Sequence, residues 1–361
     1  MKKTKKIKNK PKVLVAMSGG IDSSVAAALI KKKGFDVIGV FMKFWTPPED
    51  NRSGFNNRCC TPESEIRARK VAKILGIPFY VLDFKKEFKE KIVDYFIKGQ
   101  KMGLTPNPCI ICNQEIKFGL LFEKALALDA DFIATGHYAQ IKNKDSRFYL
   151  FEGKDKKKDQ SYFLWTLKQN QLKKIMFPLA SYRKNEVKKI AQRLKLPFSG
   201  IKESQEICFV PGHLEDFLKR YLKEKPGKIV DKKGNILGGH KGLWFYTIGQ
   251  RKGINLPGGP WYVLAKKPKK RLLVVTKNKK DLLRKEFLVK KVNWVLGKKP
   301  PMPLSLKVKI RYGHQPSIAH IYKLQNTKKQ IIFDKSQSAI TPGQSAVFYQ
   351  GQEVLGGGII C

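Results

Sequence analysis

The sequence predicts an α/β protein: a doubly wound, parallel-sheet domain, followed by a small central domain and a C-terminal β-barrel. Three observations lead there. Residues 12 to about 200 alternate short apolar strands with amphipathic helices, the pattern of a parallel sheet built through crossover helices. From about residue 225 the texture changes, and glycines crowd 234 to 259. Beyond about residue 270, short strands recur at regular spacing, as in small barrels. The expected boundaries are 1–205, 206–268 and 269–361.

Met1 to Lys12 is a basic tail with no apolar core behind it, so it does not resemble a signal peptide. Val13 to Ala16 is the first strand. Ser18-Gly19-Gly20 then turns the chain, and Val25 to Ile30 continues as helix. Val37 to Met42 is a second buried strand. Thr46 to Cys60 is polar and proline-rich, a loop. Thr61 caps the next helix, with Pro62 in its first turn and Ile66, Val71 and Ile74 as its apolar face. Phe79 to Leu82 and Phe132 to Thr135 are further strands, and ligands of such sheets bind at strand C-terminal ends, where Ser18 and Gly136 fall. Lys228–Val230 and Ile236–Leu237 flank a turn and form a hairpin. Strands are then expected near 272–275, 287–295, 306–312, 318–324, 331–334 and 346–349. Between 307 and 312 basic and apolar residues alternate, marking a half-buried strand.

Composition narrows the function. The chain has 361 residues, 42% of them hydrophobic, enough for packed cores. Its net charge of +44 would concentrate polyanions and give salt-dependent affinity for nucleic acid, although a Lys-rich proteome would also produce it. No apolar run reaches membrane-spanning length, so no membrane is expected and the cytoplasm is the expected location. Six cysteines in such a chain suggest catalysis or metal before structural disulfides. Cys59 and Cys60 read as an exposed pair of thiols, and Cys361 as incidental.

The stretch from Val13 to Val25 is the most specific. Glycines allow a sharp turn and close approach of a ligand. The unpaired N–H groups at the following helix start, backed by its dipole, attract phosphate, and Ser18, Ser23 and Ser24 add hydroxyls. No lysine follows the glycines, so this is not the G-x-x-x-x-G-K-[ST] loop. The plainer alternative is a strand–helix turn with Asp22 as N-cap. Ser-Gly-Gly-x-Asp-Ser-Ser directly after a strand is the more specific pattern, and it resembles the loop of the ATP pyrophosphatase superfamily. Members of that superfamily adenylate a carbonyl oxygen and release pyrophosphate.

Further motifs follow in order: Asn107-Pro108-Cys109-Ile110-Ile111-Cys112-Asn113, Thr135-Gly136-His137-Tyr138, Lys158-Asp159-Gln160-Ser161-Tyr162, Ser204-Gln205-Glu206-Ile207-Cys208-Phe209, Thr247-Ile248-Gly249-Gln250-Arg251-Lys252-Gly253 and Thr341-Pro342-Gly343-Gln344. With the glycine loop, they resemble the tRNA-specific 2-thiouridylase family over residues 12–360. The resemblance implies an α/β nucleotide domain, ATP and Mg²⁺, a tRNA carrying uridine 34, and a persulfide sulfur-carrier protein as partner. It implies an ATP site at Ala16, Met17, Ser18, Gly19, Gly20, Ile21, Asp22 and Ser23, with Met42 near the adenine and Gly136 near the nucleotide. Cys112 is then the nucleophile and Cys208 the persulfide carrier, a pair that would end each cycle as a disulfide. Asn107, Pro108 and Cys109 would touch the target base. His137, Lys158, Asp159, Gln160, Arg311, Tyr312 and Gln344 would contact tRNA.

The chemistry asks for such groups. A C2 oxygen leaves poorly and needs activation, and a thiolate or persulfide is the nucleophile available near neutral pH. Asp22 is expected on the metal or pyrophosphate side. The chain departs from the family at Cys109, where several members carry an acidic residue. Cys109, Cys112 and Cys208 could instead ligate an iron–sulfur cluster. Two other classes remain open: a small-molecule ATP pyrophosphatase of the amidotransferase-type synthetase kind, which needs neither Cys112 nor Cys208, and an RNA-binding protein with a relic ATP loop.

Overall fold

The computed structural model describes residues 10–47, 60–198, 207–210, 212–324 and 327–361. The basic tail to residue 9, Cys59 and Ser204 to Glu206 lie outside them. The chain divides into two compact units. The first comprises residues 1–88, 113–161 and 167–209, and the second 89–112, 162–166 and 210–361.

The first unit is built on a parallel sheet of five strands, ordered β3-β2-β1-β4-β7: β1 (Lys12–Ala16), β2 (Asp36–Lys43), β3 (Phe79–Asp83), β4 (Phe132–Ala134) and β7 (Ile175–Met176). The apolar runs make this arrangement, because strands covered on both faces need side chains that are apolar throughout. Val13, Leu14 and Val15 are fully buried. The chain runs outward from β1 to β2 and β3, then returns to place β4 on the other side of β1. That reversal at β1/β4 is the switch point where doubly wound sheets take ligands. A hairpin of β5 (Ala139–Lys144) and β6 (Arg147–Glu152) follows β4.

Helix α1 (Ile21–Lys32) lays Val25, Ala26, Ala27 and Ile30 into the core. Helix α2 (Pro62–Leu75) starts as its sequence signals: Thr61 Oγ1 accepts from Ser64 N–H at 3.1 Å, and Gly76 closes it in the left-handed region at φ 54°. Its buried face is Ser64, Ala68, Val71, Ala72 and Leu75. Ile66 and Ile74 are each 53% exposed, so they are not the core face expected of them. The face is set by where small residues let α2 approach, since Gly19 lies directly beneath Ser64.

The second unit holds a four-stranded sheet and a barrel. β8 (Gly227–Val230) and β9 (Ile236–His240) form the expected hairpin, flanked through β8 by β11 (Leu272–Thr276) and then β10 (Tyr262–Lys267). β11, grouped above with the barrel strands, therefore belongs to the central sheet: it pairs in parallel with β8, and Leu273 and Val275 fill a core with Ile229 and Val263. The barrel has six strands: β12 (Leu283–Trp294), β13 (Leu304–Lys309), β14 (Ser317–Lys323), β15 (Lys329–Ser338), β16 (Ser345–Gln350) and β17 (Glu353–Ile360). Their order is β12-β15-β14-β13-β16-β17, and β12 pairs with β17 to close it. Closure removes exposed edges. Alternate residues such as Leu306 and Val308 point into the barrel core, with Phe333 and Phe348.

Candidate active site and RNA-binding groups

At the switch point, Gly19 has φ 70°, and a Cβ there would sit 2.1 Å from the Ser64 carbonyl oxygen. Only glycine permits that turn and that contact. Gly136, leaving β4, packs against the start of α1; a Cβ would lie 2.7 Å from Ser23 N. The two glycines bring the β1 loop, α1 and the β4 loop together. Ala16, at the end of β1, Met17 and Met42, in β2, are buried. Ser18 is exposed.

The serine hydroxyls do not all face outward, as the sequence suggested. Ser23 Oγ accepts from Ser18 N–H at 3.1 Å and donates to the Gly20 carbonyl at 3.0 Å. Ser24, fully buried, also donates to Gly20 at 3.0 Å. Both hold the turn. The Ser18 hydroxyl lies 3.3 Å from that of Ser23, and no side chain caps the first N–H groups of α1, the arrangement that suits an anion.

Asp22 is also committed. Lys184 Nζ lies 2.7 Å from each of its carboxylate oxygens, and the Tyr138 hydroxyl donates to Oδ1 at 2.7 Å. The Lys184 side chain is 8% exposed. Asp22 is thus the counter-ion of a buried lysine, which leaves it poorly placed to take a metal alone. Lys184 was invisible in the sequence, since one lysine among 73 basic residues carries no signal. Arg67 was missed for the same reason. Its Nε donates to the Gly19 carbonyl at 3.1 Å and an Nη to Ser64 Oγ at 2.8 Å, which sets a guanidinium beside the loop.

Other groups singled out by sequence lie inside the first unit. His137 is buried, with Nδ1 2.7 Å from Thr135 Oγ1 and its ring 5.9 Å from both Phe118 and Phe177. Burial, with the Lys117 charge nearby, holds its pKa well below the usual imidazole value. Asp159 accepts from Gly153 N–H at 3.0 Å, Ser161 N–H at 3.2 Å and Ser161 Oγ at 2.8 Å; burial nevertheless pushes its carboxyl up. Gln160 pairs with Tyr138 through main chain and side chain. Cys60 is half-buried against the first core, not exposed as expected. Cys208 is half-buried in a turn.

In the second unit, Asn107 Oδ1 accepts from Cys109 N–H at 3.1 Å and so caps the short helix Pro108–Cys112. Three residues apart, Cys109 is exposed and Cys112 buried. Arg311 donates to Thr341 Oγ1 at 3.2 Å. Tyr312 is 42% exposed and stands 4.5 Å from Phe163 between ring centres. Gln344 Nε2 donates to the Thr105 carbonyl at 2.7 Å. Among the described residues, no group of three or more His, Cys, Asp or Glu side chains is arranged to hold a metal ion. No helix among them is long and apolar enough to cross a membrane.

Comparison with known proteins agrees with this layout. Residues 11–212 match a family model described as the tRNA methyl transferase HUP domain, 215–277 its PRC-barrel domain and 284–360 an aminomethyltransferase beta-barrel domain. The chain is 44% identical to tRNA-specific 2-thiouridylase MnmA 2 of Clostridium tetani over 97% of its own length and 99% of that protein. It is also 44% identical to tRNA-specific 2-thiouridylase MnmA of Clostridioides difficile, over 97% and 98%. Among solved structures, the U34-tRNA thiolase NcsA from Methanococcus maripaludis with its [4Fe-4S] cluster aligns at a TM-score of 0.35 and 21% identity. That alignment covers 56% of this chain and 62% of the other, too weak a likeness to bear on metal content here.

Proposed function

The chain belongs to the tRNA-specific 2-thiouridylase family, and from that premise we infer that it uses ATP to convert uridine 34 of tRNA to 2-thiouridine. The observation that supports this best is the glycine-pinned Ser18–Ser23 loop at the β1/β4 switch point, with an uncapped helix start behind it. The domain labels speak of methyl transfer and the whole-length relatives of thiolation. A loop suited to releasing pyrophosphate serves activation of a carbonyl oxygen, which methyl transfer does not need.

ATP is the first substrate, its phosphates on the α1 start and Ser18, with Arg67 close by. The uridine C2 oxygen attacks the α-phosphorus and pyrophosphate leaves; Mg²⁺, when bound with ATP, would supply charge neutralisation of the departing phosphates. Cys208 carries the persulfide, received from a sulfur-carrier protein. Its outer sulfur attacks C2 and expels AMP. The Cys112 thiolate then attacks Cys208 Sγ and frees the 2-thio group, leaving a disulfide that a thiol reductant reopens. Cys109 and Asn107 lie beside Cys112 in sequence and would face the base. Lys158, Arg311 and Tyr312 would meet RNA directly, while Asp159, Gln160 and His137 shape the surface behind them. The cytoplasm, where ATP and tRNA meet, is the setting.

The test is thiolation of an unmodified tRNA with ATP, Mg²⁺ and a persulfide donor, read as retarded migration in a mercury-containing gel, with iron quantified in the same anaerobic protein. A retarded band without iron is expected. A band that tracks iron content would put Cys109, Cys112 and Cys208 in a cluster, and no band would return the loop to a small-molecule pyrophosphatase. Cys112→Ser and Cys208→Ser are expected to abolish the band while tRNA-dependent pyrophosphate release survives. Either variant thiolating at the wild-type rate would overturn the relay.

A further inference from the structure

The glycine loop carries no lysine of its own, yet an arginine from another element is bonded to it. Arg67, on α2, donates from Nε to the Gly19 carbonyl at 3.1 Å and from Nη2 to Ser64 Oγ at 2.8 Å. We propose that Arg67 binds the pyrophosphate half of ATP and holds it as it leaves; this rests on the reading of the loop as an ATP site.

Both groups that hold Arg67 are themselves fixed. Ser64 is buried, its N–H donates to Thr61 Oγ1 at 3.1 Å, and the Thr61 hydroxyl donates to Ser64 Oγ at 3.2 Å. Three residues on along the helix, the guanidinium reaches the same hydroxyl. Gly19 is pressed against the Ser64 backbone. The bond from Nε also orients a peptide. The Gly19–Gly20 peptide is trans, so its N–H points away from its carbonyl. With the Gly19 carbonyl turned to Arg67, the Gly20 N–H faces the opposite way, next in the chain to the uncapped N–H groups of α1. Arg67 thereby occupies an oxygen that would repel an anion and presents a donor that would attract one.

The charge at the loop is unbalanced. Tyr138, Lys184 and Arg67 reach residues 18–23 from elsewhere in the unit. Lys184 is neutralised by Asp22. Glu65, on the same helix as Arg67, is taken by Lys43 and Arg69, each at 3.0 Å. Among the described residues Arg67 makes no ion pair, the exposed Glu63 one turn earlier included. Its bonds to Gly19 and Ser64 use two of the five guanidinium donors, and the rest form a planar fork that matches two phosphate oxygens. ATP carries most of its charge on the two outer phosphates. Attack on the α-phosphorus breaks its bond to the bridging oxygen, and that electron pair stays with the departing pyrophosphate. A guanidinium already fixed in place stabilises the growing charge with no proton to transfer.

The test is calorimetric binding of inorganic pyrophosphate, ATP and AMP to the full chain, with neither tRNA nor a sulfur donor present. Arg67→Met is expected to weaken pyrophosphate and ATP about tenfold or more, the size of a lost charged hydrogen bond, and to leave AMP nearly unchanged. Arg67→Lys keeps the charge without the fork and should restore part of the loss. The salt dependence of pyrophosphate binding should also be shallower in Arg67→Met, which a residue that only clamps the loop would not alter. Should Arg67→Met fail to fold, Arg67→Lys is read in the same way, with a smaller loss confined to pyrophosphate and ATP. Equal weakening of AMP and pyrophosphate with an unchanged salt dependence would make Arg67 a clamp and overturn the proposal. Unchanged pyrophosphate binding would overturn it too. A wild type that binds neither ATP nor pyrophosphate would bring down the ATP reading of the loop as well. A wild type that binds both, beside a variant that loses neither, would sink the role of Arg67 alone.

Discussion

His137 sits between Phe118 and Phe177 with a depressed pKa. Its folded-state value lies below the unfolded one, so the unfolded chain takes up the proton first as pH falls. The stabilising effect of neutral His137 is full above about pH 6.5 and is lost as pH drops toward its folded pKa. Thermal melts of wild type and His137→Gln between pH 7.5 and 5 should show the wild type losing more stability on acidification; parallel curves would contradict the assignment. Lys184 gives a second expectation. Removing one partner of a buried ion pair strands the other, and Asp22 stays about a third exposed, so Lys184→Met should cost about 2 kcal/mol in denaturant unfolding and raise the KM for ATP. Lys184→Arg should restore part of the latter. The turn at Gly19 was legible in the sequence, because a Ser-Gly-Gly directly after an apolar strand calls for a left-handed glycine there. Lys184, Arg67 and Thr105 were not, because their meaning lies in partners far along the chain.

Elements were easier to locate than to orient. Four of the five parallel strands follow from apolar runs, the two-residue β7 being too short to leave such a run, and α2 begins at its Thr-Pro signal. Its face was misassigned because Ile66 and Ile74 share a helical stripe, yet the buried face is Ser64, Ala68, Val71, Ala72 and Leu75, with Ser64 directly against Gly19. β17 escaped notice because Gly356-Gly357-Gly358 reads as a breaker. The glycines are there for space: a Cβ on Gly356 would lie 2.2 Å from the Asn293 carbonyl oxygen, and one on Gly357 would lie 2.8 Å from the Trp165 ring. Gly356→Val should therefore open the β12–β17 seam, seen as a large loss of amide exchange protection in both strands. Gly136→Ala should press on the start of α1 and weaken ATP binding by about tenfold or more, measured by calorimetry.

On the scale of the whole molecule, the charge of +44 sets the terms of binding. If roughly six phosphates are neutralised, affinity for tRNA should fall about a thousandfold between 50 and 200 mM salt, and a log–log plot gives the number of contacts directly. A flat plot would mean that the lysines merely solvate the surface. The two sheet systems of the second unit were separable only in part, since β11 carries the same short apolar signature as a barrel strand and is claimed by β8 through pairing alone. The closed barrel has one more consequence, for the order of events on the ribosome. β12 ends at Trp294, but its neighbour β17 begins only at Glu353. While the intervening chain is being translated, one side of β12 waits without its mate. A polypeptide released early would carry that raw edge into solution as an invitation to aggregate.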